Sequence, residues 1–285
     1  MSIIFESVSY SYGPNAPYPA LQEVDCQIEA GSFTGIIGHT GSGKSTFLEH
    51  LNGLKIPSSG KVLINGLDTS KKDDRKTIRK FVGFVAQNPE HQLFAETVFD
   101  DIAFGPSHAQ ISGDELKACV MHALERLSID ANEDFLQASP FDLSGGQQRK
   151  VALAGILAME PQILAMDEPL AGLDPQGRRQ VLELSRQLCD EGITILMISH
   201  SMEEIAEVAD RLIVMDKGKL VAHDSVENIF SKPDELRALG LDIPEASKYY
   251  FKLKEKGIDL GDFVYTLDDL ANAIAEYKKG MSHGI

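Results

Sequence analysis

The fold is decided by the stretch Gly38-His39-Thr40-Gly41-Ser42-Gly43-Lys44-Ser45-Thr46. An apolar segment typical of a buried strand precedes it at residues 33–37, and a helical pattern follows at residues 47–54. The glycines let the backbone turn tightly enough for several N–H groups to point into one concavity and hydrogen-bond phosphate oxygens. The following helix adds the partial positive charge of its N-terminus. The stretch therefore predicts a phosphate-binding loop.

Two side chains of this loop have defined tasks in that interpretation. Lys44 is placed to reach the β- and γ-phosphates of a nucleotide, and the Ser45 hydroxyl is placed to coordinate Mg²⁺. The alternative is a glycine-rich turn that joins a strand to a helix and binds nothing. The strand before it and the helix after it favour the phosphate-binding loop.

Composition limits the class of protein. The chain has 285 residues, 43% of them hydrophobic, which suffices for one large or two modest globular domains. No apolar run approaches the roughly 18 residues that span a bilayer, and the start lacks the basic residues of a secretory signal. Three widely spaced cysteines suit a reducing compartment. The net charge of −16 argues against a duplex-DNA binder or direct adsorption on anionic lipid. We expect a soluble, cytoplasmic chain.

Two stretches that alternate apolar and polar residues precede the loop, at residues 3–8 and 24–28. They predict antiparallel strands, with a turn at Gly13-Pro14-Asn15 between them. Tyr12 follows the first strand, where its ring could stack on a purine. The alternative is ordinary packing, which is the commoner use of an aromatic residue in a strand.

The middle of the chain changes character. Residues 62–64 and 81–86 predict short strands, and the second ends at Gln87. From residue 96 to 140 the strand pattern gives way to apolar residues at helical spacing, most clearly at residues 114–127. This segment predicts an inserted helical subdomain.

The helical segment leads to Leu143-Ser144-Gly145-Gly146-Gln147-Gln148-Arg149 and then to an apolar helix at residues 151–159. Ser144 is suited to an N-cap, which would leave the Gly145 and Gly146 amides free to bind an anion at a second helix N-terminus. An ordinary capped helix is the alternative.

Two adjacent carboxylates end a short buried strand in Ile163-Leu164-Ala165-Met166-Asp167-Glu168-Pro169. In a nucleotide site Asp167 would hold Mg²⁺ through water, and Glu168 would orient or deprotonate the water that attacks the γ-phosphate. Alternatively, both are capping groups. A further buried strand at residues 193–198 leads to His200, at the sheet edge where open α/β folds bind ligands.

Together these motifs resemble the ATP-binding cassette ATPases over about residues 1–230. The resemblance implies a P-loop α/β core with a mostly parallel sheet and an N-terminal antiparallel β subdomain. It also implies an inserted helical subdomain at about residues 96–160 and leaves residues 231–285 as a small, mainly helical extension.

The same resemblance implies individual roles. Tyr12 would stack on adenine, Gln87 would sense γ-phosphate and Mg²⁺ while linking to a membrane partner, and His200 would contact the γ-phosphate. Asp174 would lie in the loop that crosses between monomers of a head-to-tail dimer, in which the signature of one subunit covers the ATP held by the other. The implied ATP-binding residues are Tyr12, Gly38, His39, Thr40, Gly41, Ser42, Gly43, Lys44, Ser45, Thr46, Ser144, Gly145, Gly146, Gln147 and Asp174; the catalytic residues are Glu168, His200 and Gln87; and the Mg²⁺ ligands are Ser45, Gln87 and Asp167.

A narrower resemblance comes from residues 37–43, 87–94, 104–106 and 139–143. These are similar to the ATPase subunits of energy-coupling factor transporters, and more to the second of their two paralogous ATPases. Such complexes import vitamins and some metal ions. In such a complex this chain would form a heterodimer with a second ATPase at the cytoplasmic face of the membrane. Its other partners would be a transmembrane coupling subunit and a small membrane protein that captures the substrate.

The sequence departs from the usual pattern of these subunits at two positions. Ala86 replaces a common Phe, and Leu170 replaces a common Thr or Ser. Neither residue would contact phosphate, so nucleotide binding is still expected.

Other functions stay open. A soluble cassette ATPase acting on nucleic acid or ribosomes would commonly carry two cassettes or a long coiled-coil insertion, and this sequence has neither, so we expect no nucleic-acid partner. A regulatory module that does not hydrolyse ATP fits poorly with the Asp167-Glu168 pair and His200. A cobalt or nickel importer remains possible, because another subunit would choose the cargo.

The C-terminal residues 231–285 lie outside the general cassette. Thr266 to Asp269 predicts a helix start, and Leu267, Leu270, Ile274 and Tyr277 fall on one helical face. That face either packs on its own domain or forms a dimerisation module.

Overall fold

A four-stranded antiparallel sheet forms the N-terminal part of the chain. The computed structural model describes residues 2–13 and 18–282, so most of the turn predicted at Gly13-Pro14-Asn15 lies outside the described residues. The strand order is β2-β1-β4-β5, which confirms the predicted antiparallel pairing. The strands are β1 (Ser2–Tyr10), β2 (Leu21–Glu29), β4 (Ser59–Ile64) and β5 (Leu67–Asp68).

A second sheet of six strands carries the site. Its order is β10-β9-β3-β8-β7-β6, and every pairing is parallel except the hairpin of β9 with β10. Parallel strands are covered on both faces, which explains why β3 and β8 are wholly buried and mostly apolar. The strands are β3 (Phe33–Ile37), β6 (Val82–Val85), β7 (Ile163–Asp167), β8 (Thr194–Ile198), β9 (Arg211–Asp216) and β10 (Lys219–Ser225).

The carboxyl ends of β3, β7 and β8 lie side by side because these strands are parallel neighbours. The phosphate-loop stretch follows β3, Glu168 follows β7 and His200 follows β8. Open α/β sheets bind ligands at this edge. The topology therefore brings the three motifs together.

Helices cover both sheets and supply the insertion. The segment predicted as helical at residues 96–140 contains α3, α4 and α5, so that expectation is confirmed. The helices are α1 (Lys44–Glu49), α2 (Lys72–Phe81), α3 (Val98–His108), α4 (Gly113–Arg126), α5 (Glu133–Gln137), α6 (Gly145–Leu157), α7 (Pro175–Asp190), α8 (Met202–Val208), α9 (Val226–Phe230), α10 (Pro233–Ala238), α11 (Glu245–Glu255) and α12 (Leu267–Ser282), with 3₁₀ turns at Pro89–Gln92 and Pro140–Asp142.

Two helices start earlier than the apolar pattern predicts. Helix α1 begins at Lys44, because Gly43, with φ +104°, takes a left-handed conformation that closes the loop directly before it. The helix ends at Glu49. Helix α6 begins at Gly145, since Ser144 and Gln147 form a capping box. The capping box satisfies the first backbone donors and offsets the low helix propensity of the two glycines.

Helix α1 is clamped between the two sheets. Phe47 is fully buried and stacks on Phe5 of β1, with ring centroids 4.2 Å apart and planes 9° apart. The same apolar cluster contains Ile36 of β3 and Ile198 of β8. The phosphate-loop stretch is therefore attached to a helix that both sheets hold in place.

The C-terminal extension packs in two places. Leu236, Leu241 and Ile243 join the main core, whereas α11 and α12 share a small cluster of their own around Tyr250 and Leu270. The main core contains residues on both sides of the predicted domain boundary at residue 230, among them Phe230 and Leu236. The boundary stays a prediction.

The predicted apolar stripe of α12 is only partly buried. Leu270 is buried, Ile274 and Tyr277 are half-buried, and Leu267, the first residue of the helix, is 59% exposed. The predicted helix start is confirmed, because the Thr266 hydroxyl accepts a hydrogen bond from the Asp269 amide. A dimerisation role for this segment stays a prediction.

Candidate nucleotide-binding site

The phosphate loop takes its shape from close backbone contacts. A Cβ atom at Gly38 would lie 2.3 Å from the Met215 carbonyl oxygen, and one at Gly43 would lie 2.4 Å from the Ala20 carbonyl oxygen. Real Cβ atoms do not approach so closely, so both positions need glycine. The loop therefore packs closely against the backbone of β9 and of the residue that precedes β2.

The loop surface is open where a phosphate would bind. His39, Thr40, Gly41 and Ser45 are exposed, while Ser42, Lys44 and Thr46 are buried. The Ser42 hydroxyl is buried without a hydrogen-bond partner among the described residues. Buried polar groups are nearly always paired, so this hydroxyl is an exception within the loop.

The ammonium of Lys44 is held over the loop. Its Nζ donates to the carbonyl oxygens of Gly38 at 2.7 Å and His39 at 2.9 Å. Burial lowers the pKa of Lys44, and the neighbouring carboxylates of Glu168 and Asp167 oppose that shift. An anionic phosphate oxygen is a stronger acceptor than a carbonyl, so the ammonium is positioned to exchange its present partners for a nucleotide.

Ser45 and Asp167 form a pair of oxygen donors. The Ser45 hydroxyl hydrogen-bonds the Asp167 carboxylate; burial raises the pKa of Asp167, and this bond acts against the shift. Hard oxygen ligands suit Mg²⁺, which usually binds one or two carboxylates together with substrate phosphates. The donor set fits Mg²⁺ bound with a nucleotide, and no cluster of three or more His, Cys, Asp or Glu residues in the described chain could hold a metal alone.

Glu168 is held on both carboxylate oxygens. His200 Nε2 lies 2.7 Å from Oε1, and Gln87 Nε2 donates to Oε2 at 3.2 Å. The Glu168 backbone has φ +50°, an uncommon conformation for a side-chain-bearing residue, and such outliers cluster at active sites. The three predicted catalytic residues are thus brought together by the fold.

A cavity of about 290 Å³ opens beside this carboxylate. Glu168 and His200 line it together with Arg178 and Glu204, which form an ion pair at 3.1 Å. The cavity gives solvent water access to the side of Glu168 that its partners leave open.

Arg149 is a functional residue that its motif alone did not identify. Its guanidinium donates to three carbonyl oxygens, those of Gln87 at 3.2 Å, Pro169 at 2.7 Å and Ala171 at 2.7 Å. It therefore joins α6 to Gln87 and to the segment that follows Glu168. The guanidinium is half-buried, and a buried guanidinium needs partners, which these carbonyl groups supply.

The signature residues lie on the surface. Ser144, Gly145, Gly146 and Gln147 are all exposed, and a Cβ atom added at either glycine would meet nothing within 4 Å. The Ser144 hydroxyl accepts from the Gln147 amide at 3.4 Å, so the N-cap is confirmed. Anion binding by these amides stays a prediction, as does the role of Asp174, which is exposed and caps α7.

Tyr12 does not pack into the core. Its ring is 62% exposed, its hydroxyl hydrogen-bonds Thr46 Oγ1 at 2.9 Å, and Lys55 Nζ lies 5.0 Å from its centroid. The hydroxyl therefore places the ring next to the phosphate loop. Adenine stacking stays a prediction.

Comparison with known proteins gives the family. The profile of the family described as ABC transporter matches residues 21–171, more than half of the chain. This chain belongs to the ABC transporter family. The predicted cassette fold, ATP as its ligand and ATPase activity are thereby confirmed.

Within the ABC transporter family, curated relatives match over almost their whole length. A protein of Symbiobacterium thermophilum named energy-coupling factor transporter ATP-binding protein EcfA2 is 49% identical over 96% of both chains. A Clostridium perfringens protein of the same name is 44% identical over 97% of this chain and 98% of its own. The narrower resemblance to energy-coupling factor ATPases is therefore confirmed.

Solved ABC structures share the fold. The structure of cbiO1 from Clostridium perfringens, described as part of the ABC transporter complex cbiONQ, superposes with a TM-score of 0.72 at 32% identity, covering 84% of this chain and 94% of its own. A dimeric, post-hydrolysis form of the ATP-binding cassette MJ0796, bound to ADP and Pi, gives a TM-score of 0.69 at 28% identity and covers 79% and 98%.

The part of this ABC protein that the structure describes contains no helix long and apolar enough to cross a membrane.

Proposed function

We propose that this ATPase hydrolyses Mg-ATP in a head-to-tail dimer with a paralogous second subunit and thereby powers vitamin or micronutrient uptake through membrane partners. One observation carries the proposal. Glu168 is held by Gln87 and His200 beside Lys44 and Asp167, whereas residues 144–147 of the same chain stand on the open surface.

The chain's own residues carry the hydrolytic chemistry. The loop amides and Lys44 hold the phosphates and stabilise the charge that develops on the transferring group. Glu168 accepts the proton of the attacking water at a carboxylate oxygen, and His200 and Gln87 keep that carboxylate oriented. Ser45 and Asp167, with Gln87 as a further oxygen ligand, would hold Mg²⁺, which would supply positive charge next to the nucleotide phosphates.

The exposed signature residues are the reason for proposing a second subunit. The amides of Gly145 and Gly146 lie in the first turn of α6, where a helix binds anions, and their surroundings are empty. In the proposed dimer Ser144, Gly145, Gly146 and Gln147 cover the ATP held by the partner's loop, and Asp174 lies at the crossing point. The dimeric state described for the MJ0796 cassette supports this arrangement.

An exposed aromatic patch supports the membrane partner. Phe94 is 57% exposed and meets Phe104 edge-on with centroids 4.7 Å apart, and Phe104 contacts the His108 ring at 4.3 Å. Exposed aromatic groups of this kind are enriched in protein interfaces. Only the short turn Pro89–Gln92 separates the patch from Gln87. We propose that the transmembrane coupling subunit docks here, which places the ATPase peripherally at the cytoplasmic face.

The cargo is not selected by this chain. A substrate-capture membrane protein would choose it, so a metal-ion importer for cobalt or nickel is the second candidate function. The similarity to cbiO1, described as part of the ABC transporter complex cbiONQ, is the observation that favours this second candidate.

The test is purification of the tagged full-length chain from its native host, with membranes extracted in mild detergent. We expect a paralogous ATPase, a polytopic membrane subunit and a small membrane protein in stoichiometric amounts. The variant Phe104→Ala should lose the membrane subunits and keep the ATPase, while Tyr249→Ala, which truncates an exposed aromatic ring of α11, should keep both. Recovery of ribosomes, nucleic acid or no partner contradicts the proposal.

A further inference from the structure

The side chain of His39 connects the phosphate loop to the C-terminal extension. Its Nε2 lies 2.6 Å from the carbonyl oxygen of Leu239, at the end of α10. A carbonyl oxygen only accepts hydrogen bonds, so Nε2 carries the proton and donates. The imidazole is therefore committed to a residue 200 positions further along the chain.

The backbone of the same residue holds the nucleotide-binding groups. The His39 carbonyl oxygen accepts from the Ser42 amide at 3.1 Å and from Lys44 Nζ at 2.9 Å. A change in the position of His39 thus moves the acceptor that fixes both groups. Its side chain faces the extension while its main chain organises the loop.

The extension presents a rigid partner at this point. Leu236 and Leu241, on either side of the contact, are both buried in the main core. Gly240 has φ +68°, and its amide donates to the Arg237 carbonyl oxygen at 2.8 Å. A Cβ atom at Gly240 would lie 2.7 Å from His39 Nε2, so the turn leaves room for the imidazole only because residue 240 is glycine.

We propose that the turn at Leu239-Gly240 positions the phosphate loop through the His39 side chain, so that the C-terminal extension contributes to ATP affinity. His39 is then a positioning residue that acts on Lys44 and the loop amides. The inference rests on the assignment of residues 38–46 as the ATP-binding loop.

The first test changes the extension and leaves the loop sequence intact. In Gly240→Ala the new methyl group displaces the imidazole, and the hydrogen bond to Leu239 is lost. We expect ATP affinity to fall and KM to rise about 2- to 10-fold, the range for one hydrogen bond, with kcat at saturating ATP nearly unchanged. Gly257→Ala is the matched control, because Gly257 also lies in the extension, has φ +79° and has open space around its Cβ position.

The second test works from the loop side. His39→Ala should show the same loss as Gly240→Ala, and His39→Gln, which keeps an N–H donor at the position of Nε2, should recover part of that loss. In the double variant the two losses should not add, because each removes the same contact. Calorimetric titration of the full-length chain with ATP and thermal unfolding of each variant supply the data.

Two outcomes overturn the inference. One is an ATP affinity of Gly240→Ala equal to that of Gly257→Ala; the other is fully additive losses in the double variant. If Gly240→Ala does not fold, the His39→Ala and His39→Gln pair decides, since equal affinities would then contradict the role. Lys44→Ala distinguishes a failure of this inference from a failure of the proposed ATP-binding loop. If Lys44→Ala loses ATP binding and the Gly240 and His39 variants do not, only this inference is refuted. If Lys44→Ala still binds ATP, the assignment of the loop itself is refuted.

Discussion

The two halves of the proposed nucleotide site differ in how many of their polar groups find partners within the chain. In the half around Glu168, both carboxylate oxygens have partners and Arg149 fixes the flanking carbonyl groups. In the signature half, Gly145 and Gly146 have no neighbouring atoms in reach of a side chain. One half is assembled by the chain itself, and the other presents its donors outward.

This difference indicates how a single fold divides its work. Catalytic geometry has to be accurate to fractions of an ångström, so it is fixed inside one chain by hydrogen bonds. In the proposed dimer the signature surface would close on a partner and open again, which fits donors that this chain leaves free. Changes in the first half should alter chemistry in the chain's own site, whereas changes in the second should alter turnover in the partner's site.

The largest expected effect breaks the assembled half. Glu168→Gln keeps the shape and removes the base, so turnover should fall by about 10²–10⁴ while ATP still binds. Steady-state phosphate release and calorimetric ATP binding measure the two quantities. Glu204→Gln is the control, because it removes a carboxylate that lines the same cavity but pairs with Arg178 and not with His200 or Gln87. Turnover close to that of the wild type would remove Glu168 from its role.

The next prediction breaks the open half. Gly146→Asp brings a negative charge against the partner's ATP phosphates, and like charges in an interface cost several kcal/mol, so turnover should fall roughly 100-fold or more. The variant's own loop should bind ATP with unchanged affinity. Gly146→Ala adds a methyl group in open space and separates the effect of charge from that of size. An equal loss in both variants would argue against an ATP-facing signature.

The third prediction weakens binding in the assembled half. Lys44→Ala removes charge-assisted hydrogen bonds to phosphate, worth about 1.5–3 kcal/mol, so ATP affinity should fall roughly 10- to 150-fold. Lys61→Ala, at an exposed position of β4, controls for the loss of one positive charge. Equal affinities of the two variants for ATP would contradict the assignment of Lys44.

The smallest expected effect is a loss of stability when the contacts of Arg149 in the assembled half are removed. Arg149→Lys cannot reach three carbonyl groups with one ammonium, so the free energy of unfolding should fall by about 1–3 kcal/mol and Tm by roughly 2–10 °C. Thermal unfolding of the ATP-free chain measures it, and Lys150→Arg makes the reverse exchange at the next position. A Tm equal to that of the wild type would mean that Arg149 does not hold the assembled half together.

Local chemistry made most of the site predictable. The phosphate loop needs glycines at fixed places, and a strand that ends in Asp167-Glu168 has to deliver those carboxylates to the edge of the sheet. The contacts of Arg149 and His39 were not predictable, because backbone carbonyl groups distant in the chain leave no mark in its sequence. The sequence also left open how the apolar face of α12, where Leu267 is exposed, is covered, because periodicity identifies such a face but not its partner.

The hairpin of β9 and β10 also has a consequence for the order of events during synthesis. The Gly218 amide donates to the Ser42 carbonyl oxygen, and Gln22 bonds Lys217 across 195 residues of sequence. Segments made early can fold while later ones are still being added. These two bonds to the hairpin can form only after residue 218 has left the ribosome. The phosphate loop, although near the N-terminus, therefore gains part of its support late in synthesis.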